Sequence, residues 1–295
     1  MELEFWGVRG SIASPGGDTA GVGGNTSCVE VRCGATRIIL DAGTGLRGLG
    51  DALVTQARAT GAAGMELTLL LSHCHWDHIQ GLPFFVPAYM PMTKLTIVGG
   101  MNGLMSLEET LAHQMTAPVF PVRLDELSAE IATREVRSGQ GLAIGEAMVR
   151  VAKQNHPGGS LAYRINHGGR SVVYATDTEH YACVDPALVQ LAAGADVLIY
   201  DAQYTPEEYR GDSGPSKAGW GHSTYAAGAE LARAAGVGQL LLFHHDPRRT
   251  DSQVAVIEQC ARALFPASVA ARERMRLTLA AGSARGAAPT LITAA

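Results

Sequence analysis

Three histidines and one aspartate stand within six consecutive residues, at His73, His75, Asp77 and His78. Imidazole and carboxylate groups are typical protein ligands of zinc and related divalent cations. A catalytic zinc ion commonly takes three protein ligands plus water, so four groups in one short run exceed the need of a single open site. The run therefore predicts two metal ions held side by side, and with them a two-metal hydrolase.

The segment before this run predicts how its side chains are presented. Leu67–Leu71 is an apolar stretch with the length of a buried strand. If the chain stays extended, His73 and His75 project to the same side, and the remaining two groups follow where the backbone turns into a helix. Cys74, between the two histidines, then points away from the metals, although a thiolate ligand at this position stays open.

Further metal-binding groups stand directly after other predicted strands. His156 follows a strand that ends near Lys153, and Asp177 follows one that ends at Tyr174. His244 and His245 follow an apolar strand, and alternation lets only one of the two face the site. Because the ends of strands in one sheet lie near each other, we expect these groups to complete the site. Asp177 is the best candidate for a carboxylate that bridges both metals.

Asp41 stands at the carboxyl end of the predicted strand Thr36–Leu40. Two interpretations stay open at this position. The carboxylate either accepts a hydrogen bond that orients a ligand histidine, or it is an ordinary turn residue before Gly43.

Composition favours a globular enzyme. The 295 residues are 46% hydrophobic and 17% charged, with a net charge of -5. That balance weighs against a dedicated surface for duplex nucleic acid. The five cysteines are scattered without a CxxC pair, which indicates a reducing compartment rather than a disulfide framework. No secretory signal or bilayer-spanning stretch is visible, so we expect a cytoplasmic protein without membrane contact.

The order of predicted elements indicates the fold class. The segments Cys28–Cys33 and Thr36–Leu40 predict a hairpin, whereas the later strands alternate with helices. The chain reads as two similar halves, which predicts an α/β (α+β) architecture with two sheets between helical layers. Residues 1–280 are expected to form one domain, and residues 281–295, which lack periodicity, a flexible tail.

The ordered set of histidines and aspartates resembles the metallo-β-lactamase fold hydrolases. The phosphodiesterase branch is the most similar, with ribonuclease Z, the class II cyclic-nucleotide phosphodiesterases and the cyclic-phosphate phosphodiesterase of phosphonate breakdown. The resemblance extends to about residue 265 and implies a four-layer αββα sandwich. It also implies two divalent metal ions, usually Zn²⁺ and sometimes Mn²⁺ or Fe²⁺.

The resemblance assigns seven ligands to the two metals. One metal would be held by His73, His75 and His156, the other by Asp77, His78 and His244, with Asp177 as the bridge. His244 is preferred to His245 because the residues before it match the apolar strand followed by Thr-His in that branch.

A second resemblance concerns the reaction. Asp201-Ala202, followed by Gly221-His222-Ser223-Thr224 and the apolar strand, is similar to the second half of ribonuclease Z. There a histidine protonates the leaving group and an acidic residue orients it, roles that would fall here to His222 and Asp201. Such an acid is useful because phosphodiester cleavage expels an alkoxide. Asp77 is also expected to orient the attacking water. The alternative is that His222 is only a residue at a helix N-terminus.

These observations predict a metal-dependent phosphodiesterase for a small cyclic nucleotide or cyclic phosphate. We find no Gly/Pro-rich basic arm of the kind with which ribonuclease Z clamps transfer RNA. The alternatives are a nuclease for RNA or single-stranded DNA, a lactone, ester or thioester hydrolase on the same metals, and a metal- or nucleotide-binding sensor. A homodimer is left open. The segment 115–121, with Phe120 between two prolines, is a further candidate for a wall or lid.

Overall fold

Two β-sheets face each other across an apolar core, and helices cover their outer faces. The computed structural model describes residues 1–101, 103–280 and 290–292. Within these residues the strands are, in chain order, β1 (Glu2–Gly7), β2 (Cys28–Cys33), β3 (Thr36–Leu40), β4 (Met65–Leu70), β5 (Thr93–Gly99), β6 (Glu130–Glu135), β7 (Gly141–Ile144), β8 (Ala147–Gln154), β9 (Ser160–His167), β10 (Arg170–Ala175), β11 (Val197–Asp201), β12 (Gln239–Phe243), β13 (Ser268–Ala270), β14 (Arg276–Thr278) and β15 (Thr290–Ile292).

The helices lie mostly between parallel strands. The α-helices of the described residues are α1 (Gly45–Thr60), α2 (Trp76–Ile79), α3 (Leu107–Gln114), α4 (Pro186–Ala192), α5 (Pro206–Arg210), α6 (Tyr225–Ala234) and α7 (Asp251–Leu264). Short 3₁₀ turns at Leu82–Phe84 and Val86–Tyr89 follow α2. Both turns contain proline, which lacks the amide hydrogen that a longer helix needs.

The strand order differs between the two sheets. The first sheet runs β15-β14-β1-β2-β3-β4-β5-β6 and the second runs β13-β12-β11-β10-β9-β8-β7. In each sheet a hairpin region joins a parallel region, formed by β3 to β6 in the first sheet and β10 to β13 in the second. Within both parallel regions the carboxyl ends of the strands therefore meet at one edge.

Alternation along the strands builds three apolar layers. Ile38 and Leu40 belong to the cluster between the sheets, whereas Ile39 packs with the helices outside the first sheet. In β12, Leu241 and Phe243 face the central cluster, whereas Leu240 and Leu242 pack with helices outside the second sheet. These layers confirm the predicted αββα sandwich.

The predicted tail lies mostly outside the described residues. Positions 281–289 and 293–295 are not described, while β15 pairs with β14 in antiparallel register, Thr290 opposite Thr278. The domain boundary near residue 280 stays a prediction. Among the helices of the described residues, none combines the length and the apolar character needed to cross a membrane.

Candidate metal centre

The predicted ligands converge at one edge of the two sheets. Most follow the carboxyl end of a strand, because the parallel register brings these ends level. Asp201 lies opposite Phe243, the residue before His244, and Ala175 lies opposite Tyr200. The gathered groups come from the segment after β4, from α2, from the ends of β8, β10, β11 and β12, and from the loop before α6: His73, His75, Asp77, His78, His156, Asp177, Asp201, His222 and His244.

His73, His75 and His156 form the first group that can hold a metal. Their ligand atoms lie within 4.8 Å of one another. Nε2 of His156 lies 3.0 Å from Nδ1 of His75. This is the triad that the sequence resemblance assigns to one metal.

Asp77, His78 and His244 form the second group, again with ligand atoms within 4.8 Å of one another. Oδ2 of Asp77 lies 3.2 Å from Nε2 of His78 and 3.1 Å from Nε2 of His244. Ser11, in the loop after β1, donates its backbone N–H to the same oxygen at 2.7 Å. These three side chains are the set that the resemblance assigns to the other metal.

Asp177 lies between the two groups and turns one oxygen toward each. Oδ2 lies 3.7 Å from Nε2 of His73 and 3.6 Å from Nε2 of His156. Oδ1 lies 3.2 Å from Nε2 of His78 and 3.1 Å from Nε2 of His244. The arrangement suits a carboxylate that bridges two cations. Its backbone has φ of 52°, a conformation that costs energy in a residue other than glycine and is found at functional sites.

The donor set fits divalent metal ions. Nε2 of His73 is buried and has no hydrogen-bond partner among the described residues, an arrangement that is costly unless another ligand is present. Burial and the neighbouring imidazole of His78 lower the pKa of His73 well below its usual value, and the neutral form is the one that binds a metal. Imidazole nitrogens and carboxylate oxygens suit zinc, manganese or iron.

Outer hydrogen bonds fix the ring orientation of the histidines. Nδ1 of His156 lies 2.8 Å from the carbonyl oxygen of Gly221, and Nδ1 of His244 lies 2.9 Å from Oε1 of Gln203. Each bond leaves Nε2 of the ring facing the cluster. Asp41 plays the same part for His78, so of the two interpretations left open by the sequence, the structure supports the orienting one.

His222 and Asp201 form a pair beside the second group. Nδ1 of His222 lies 2.9 Å from Oδ2 of Asp201, and the His222 ring stacks on that of His244 with centroids 5.0 Å apart. Burial would lower the pKa of His222, but the carboxylates of Asp201, Asp177 and Asp77 outweigh it, Asp201 contributing most, and raise the pKa to about 9. The raised pKa favours the charged imidazole, which is the form that can donate a proton.

The helix that follows is capped by another residue. Oγ1 of Thr224 accepts from the backbone N–H of Ala227 at the start of α6. The hydroxyl of Ser223 lies 3.0 Å from that of Tyr200. The role of His222 as a mere helix-terminal residue is therefore not supported, because its ring faces the cluster.

His245 and Cys74 lie outside the four clustered groups found among the described residues. Nε2 of His245 lies 3.0 Å from the carbonyl oxygen of Ala271, and burial lowers the pKa of His245 to about 3. Cys74 packs against the apolar layer beneath α1 and α3. This geometry favours His244 as the ligand and points Cys74 away from the metal site, as strand alternation predicts.

Several residues of the site were missed by sequence reasoning. Gln203, Ser11 and Ser72 contact site side chains, and Ser72 Oγ lies 3.0 Å from Nδ1 of His73. Gln203 could have been found from its position two residues after Asp201. Ser11 lies in a Gly-rich loop without a local signal of its role.

Two cavities lie near these elements. One of about 280 Å³ opens beside His73 and is walled by Met101, Leu161 and the basic side chains of Arg137 and Lys153. A larger one of about 760 Å³ lies between α3, β6 and residues 115–127, and none of the clustered ligands line it. Phe120 lines this second cavity, which does not support the expectation of a lid over the metals.

Comparison with known proteins agrees with the geometry. The family model described as Beta-lactamase superfamily domain matches residues 36–245. Ribonuclease Z of Lacticaseibacillus casei is 28% identical over 243 residues, covering 67% of this chain and 73% of that protein.

Solved structures share the fold at low sequence identity. The metallo-β-lactamase fold protein YhfI from Bacillus subtilis has a TM-score of 0.67 at 19% identity, covering 93% of this chain and 97% of its own. Zn²⁺-bound PqqB from Methylobacterium extorquens has a TM-score of 0.64 at 16% identity, covering 95% and 100%. The chain thus belongs to the β-lactamase superfamily, which confirms the predicted fold and the prediction of a metal-dependent hydrolase.

Proposed function

We propose that this protein is a dinuclear phosphodiesterase that hydrolyses a small cyclic nucleotide or cyclic phosphate. The observation that carries the proposal is the His222–Asp201 pair, held at 2.9 Å and stacked against His244. A protonated imidazole at the edge of a metal cluster suits a reaction that expels an alkoxide. Hydrolysis of a thioester has less need of such an acid, because its thiolate leaving group is less basic than an alkoxide.

Each group of residues would have a separate role in the proposed reaction. Divalent cations, when bound, would lower the pKa of water and offset the charge that develops on phosphorus oxygens. His73, His75 and His156 would hold one cation, Asp77, His78 and His244 the other, and Asp177 would bridge them. Asp77 is anchored by the N–H of Ser11 and would orient the attacking water. His222 would pass its proton to the departing oxygen while Asp201 holds the ring in place. We propose zinc as the metal.

Three features favour a small substrate over a folded RNA. The cavity beside His73 has a volume of about 280 Å³, which is room for a sugar or a base rather than a helix. Trp220, two residues before His222, is 57% exposed, with Nζ of Lys217 over its ring at 4.2 Å, and is a candidate to stack on a single base. Arg123, in the middle segment, is paired with Asp125 at 2.6 Å, so a carboxylate offsets its positive charge.

A substrate panel on metal-analysed protein tests the proposal. The panel holds bis(4-nitrophenyl) phosphate, cyclic mononucleotides, cyclic dinucleotides, a precursor transfer RNA and a lactone. We expect turnover of phosphodiesters, with a cyclic nucleotide or cyclic phosphate preferred, and loss of turnover by about 10² to 10⁴ in His222→Ala with metal content unchanged. Preference for the transfer RNA would favour the ribonuclease alternative. Lactone turnover alone, or full activity of His222→Ala, would refute the proposal.

A further inference from the structure

A buried carboxylate outside the proposed reaction lies directly behind the site. Glu179 is 1% exposed and follows Asp177 by two residues. Oε1 accepts hydrogen bonds from the Tyr209 hydroxyl at 2.7 Å and from the Gly219 N–H at 2.6 Å, and Oε2 accepts from the Gly221 N–H at 2.8 Å. A carboxylate is costly to bury unless its oxygens are well satisfied. The two glycine donors bind it to the loop that leads to His222, and the Tyr209 hydroxyl binds it to α5.

Gly221 connects this carboxylate to the metal cluster. Its N–H donates to Glu179, while its carbonyl oxygen lies 2.8 Å from Nδ1 of His156. The next residue along the chain is His222. One peptide segment therefore orients a ligand of the first metal and carries the acid of the proposed reaction.

The fit between this segment and His156 is close. Gly221 has φ of +84°, and a Cβ at this position would lie 2.4 Å from Nδ1 of His156 and 2.3 Å from Cδ of Pro157. The backbone of Glu179 makes a second contact with this region, because its N–H donates a hydrogen bond to the carbonyl oxygen of Asn155 at 2.7 Å. The loop before α6 and the end of β8 are thus fixed to the same residue.

We propose that Glu179 is a positioning residue that sets His156 for metal binding and His222 for proton transfer. It touches neither metal nor substrate and acts through Gly221. The part that concerns His222 rests on the proposed function, whereas the part that concerns His156 depends only on metal binding. The two parts can therefore be tested with separate measurements.

Metal binding is measured first, by metal analysis and by competition with a chelator. In Glu179→Ala we expect the affinity for one of two zinc ions to fall at least about tenfold, since outer hydrogen bonds to ligand histidines have effects of this size. Glu179→Gln, which keeps one carbonyl acceptor, should retain more of the affinity. Glu258→Gln is the matched control, because Glu258 is 8% exposed, binds Arg262 and Arg272, and lies on α7 away from the cluster.

Proton transfer is measured by comparing leaving groups. If Glu179→Ala displaces His222, turnover of substrates that expel an alkoxide, such as a cyclic nucleotide, should fall. This fall should be about tenfold larger than for bis(4-nitrophenyl) phosphate, whose leaving group departs with little protonation. A change that is only structural would slow both by the same factor. Equal losses together with unchanged zinc affinity would overturn the inference.

Two further outcomes remain decisive. If Glu179→Ala does not fold, Tyr209→Phe is used instead, because it removes one of the three donors to Glu179. We expect Tyr209→Phe to lower the zinc affinity and to slow alkoxide-releasing substrates more than bis(4-nitrophenyl) phosphate. A Tyr209→Phe protein that matches the wild type in both measurements would count against the inference. If the wild-type protein turns over no phosphodiester, the proposed function fails, and the zinc affinity of Glu179→Ala still decides the role of Glu179 toward His156.

Discussion

Nδ1 of His78 lies 2.7 Å from Oδ2 of Asp41, and both side chains are fully buried. The same carboxylate accepts from the N–H and the hydroxyl of Ser72 at 2.7 and 2.8 Å, and from the Tyr174 hydroxyl at 2.7 Å. Asp41 follows β3 in the first sheet and Tyr174 belongs to β10 in the second. One carboxylate therefore orients a proposed ligand and joins the two sheets at the metal edge.

Asp41→Asn should weaken metal binding without removing a ligand. Asparagine keeps the size of the side chain but loses the charge that holds the Nδ1 proton of His78, so its Nε2 is no longer reliably presented to the metal. We expect zinc affinity to fall about 10- to 100-fold, measured by competition with a chelator. Asp51→Asn on the exposed face of α1 is the control. Unchanged affinity in Asp41→Asn would show that Asp41 serves only to join the sheets.

Asp201→Asn should change the pH dependence of turnover. Burial favours the neutral form of His222, and nearby carboxylates, with Asp201 as the largest contributor, override it to give a pKa of about 9. The proton donor is therefore present below this pKa and is lost as the pH rises through it. Without the carboxylate the pKa falls, so the alkaline limb of kcat should move to lower pH. Bound cations would lower the pKa in both proteins and leave the direction of the difference unchanged.

The control for this pH profile is a substrate whose leaving group needs no proton. With bis(4-nitrophenyl) phosphate the alkaline limb should be weaker in both proteins. An Asp201→Asn profile identical to that of the wild type on an alkoxide-releasing substrate would contradict the assignment of His222 as the acid.

The clustering of the proposed ligands could be predicted from the sequence because each carries a local signal. His73, Asp177 and His244 all follow apolar runs that predict strands, and strand ends meet at one edge of a sheet. Alternation along the strand predicted that only one of His244 and His245 faces the site, and the choice of His244 came from the resemblance to the phosphodiesterase branch. The clustering of these side chains agrees with that prediction.

The supporting contacts could not be predicted, because they join residues far apart in sequence. Glu179 lies 42 positions from Gly221 and Tyr174 lies 133 from Asp41, and nothing local marks either pair. The strand β6 was missed for a different reason. Its side chains are exposed or half-buried along its length, so an edge strand of this kind shows no clear alternation of apolar and polar residues.

Zinc should stabilise the fold in a concentration-dependent manner. The clustered side chains come from both sheets and are brought together only by folding, so zinc should bind the folded state and not the unfolded chain. At a free concentration of about 100 times Kd the gain is about 2.7 kcal/mol. We expect a higher Tm with zinc than with a chelator, measured by differential scanning fluorimetry. The shift should be reduced in His73→Ala, and a Tm independent of zinc would contradict a metal site in this cluster.

His244→Ala and His245→Ala should separate metal binding from folding. Nε2 of His244 lies 3.1 Å from carboxylate oxygens of both Asp77 and Asp177, so its loss should remove zinc and most turnover. His245 lies against Ala271 instead, at 3.0 Å, and its loss leaves a buried gap and an unpaired carbonyl.

The variant His245→Ala should therefore lose folding stability, by about 1–3 kcal/mol, and keep two zinc ions per chain. Metal analysis combined with urea unfolding distinguishes the two effects. The reverse pattern, with zinc lost from His245→Ala and retained in His244→Ala, would exchange the roles of the two histidines. It would require the backbone after β12 to leave the conformation in which His244 has φ of 59°, because that turn directs the His244 ring toward Asp177.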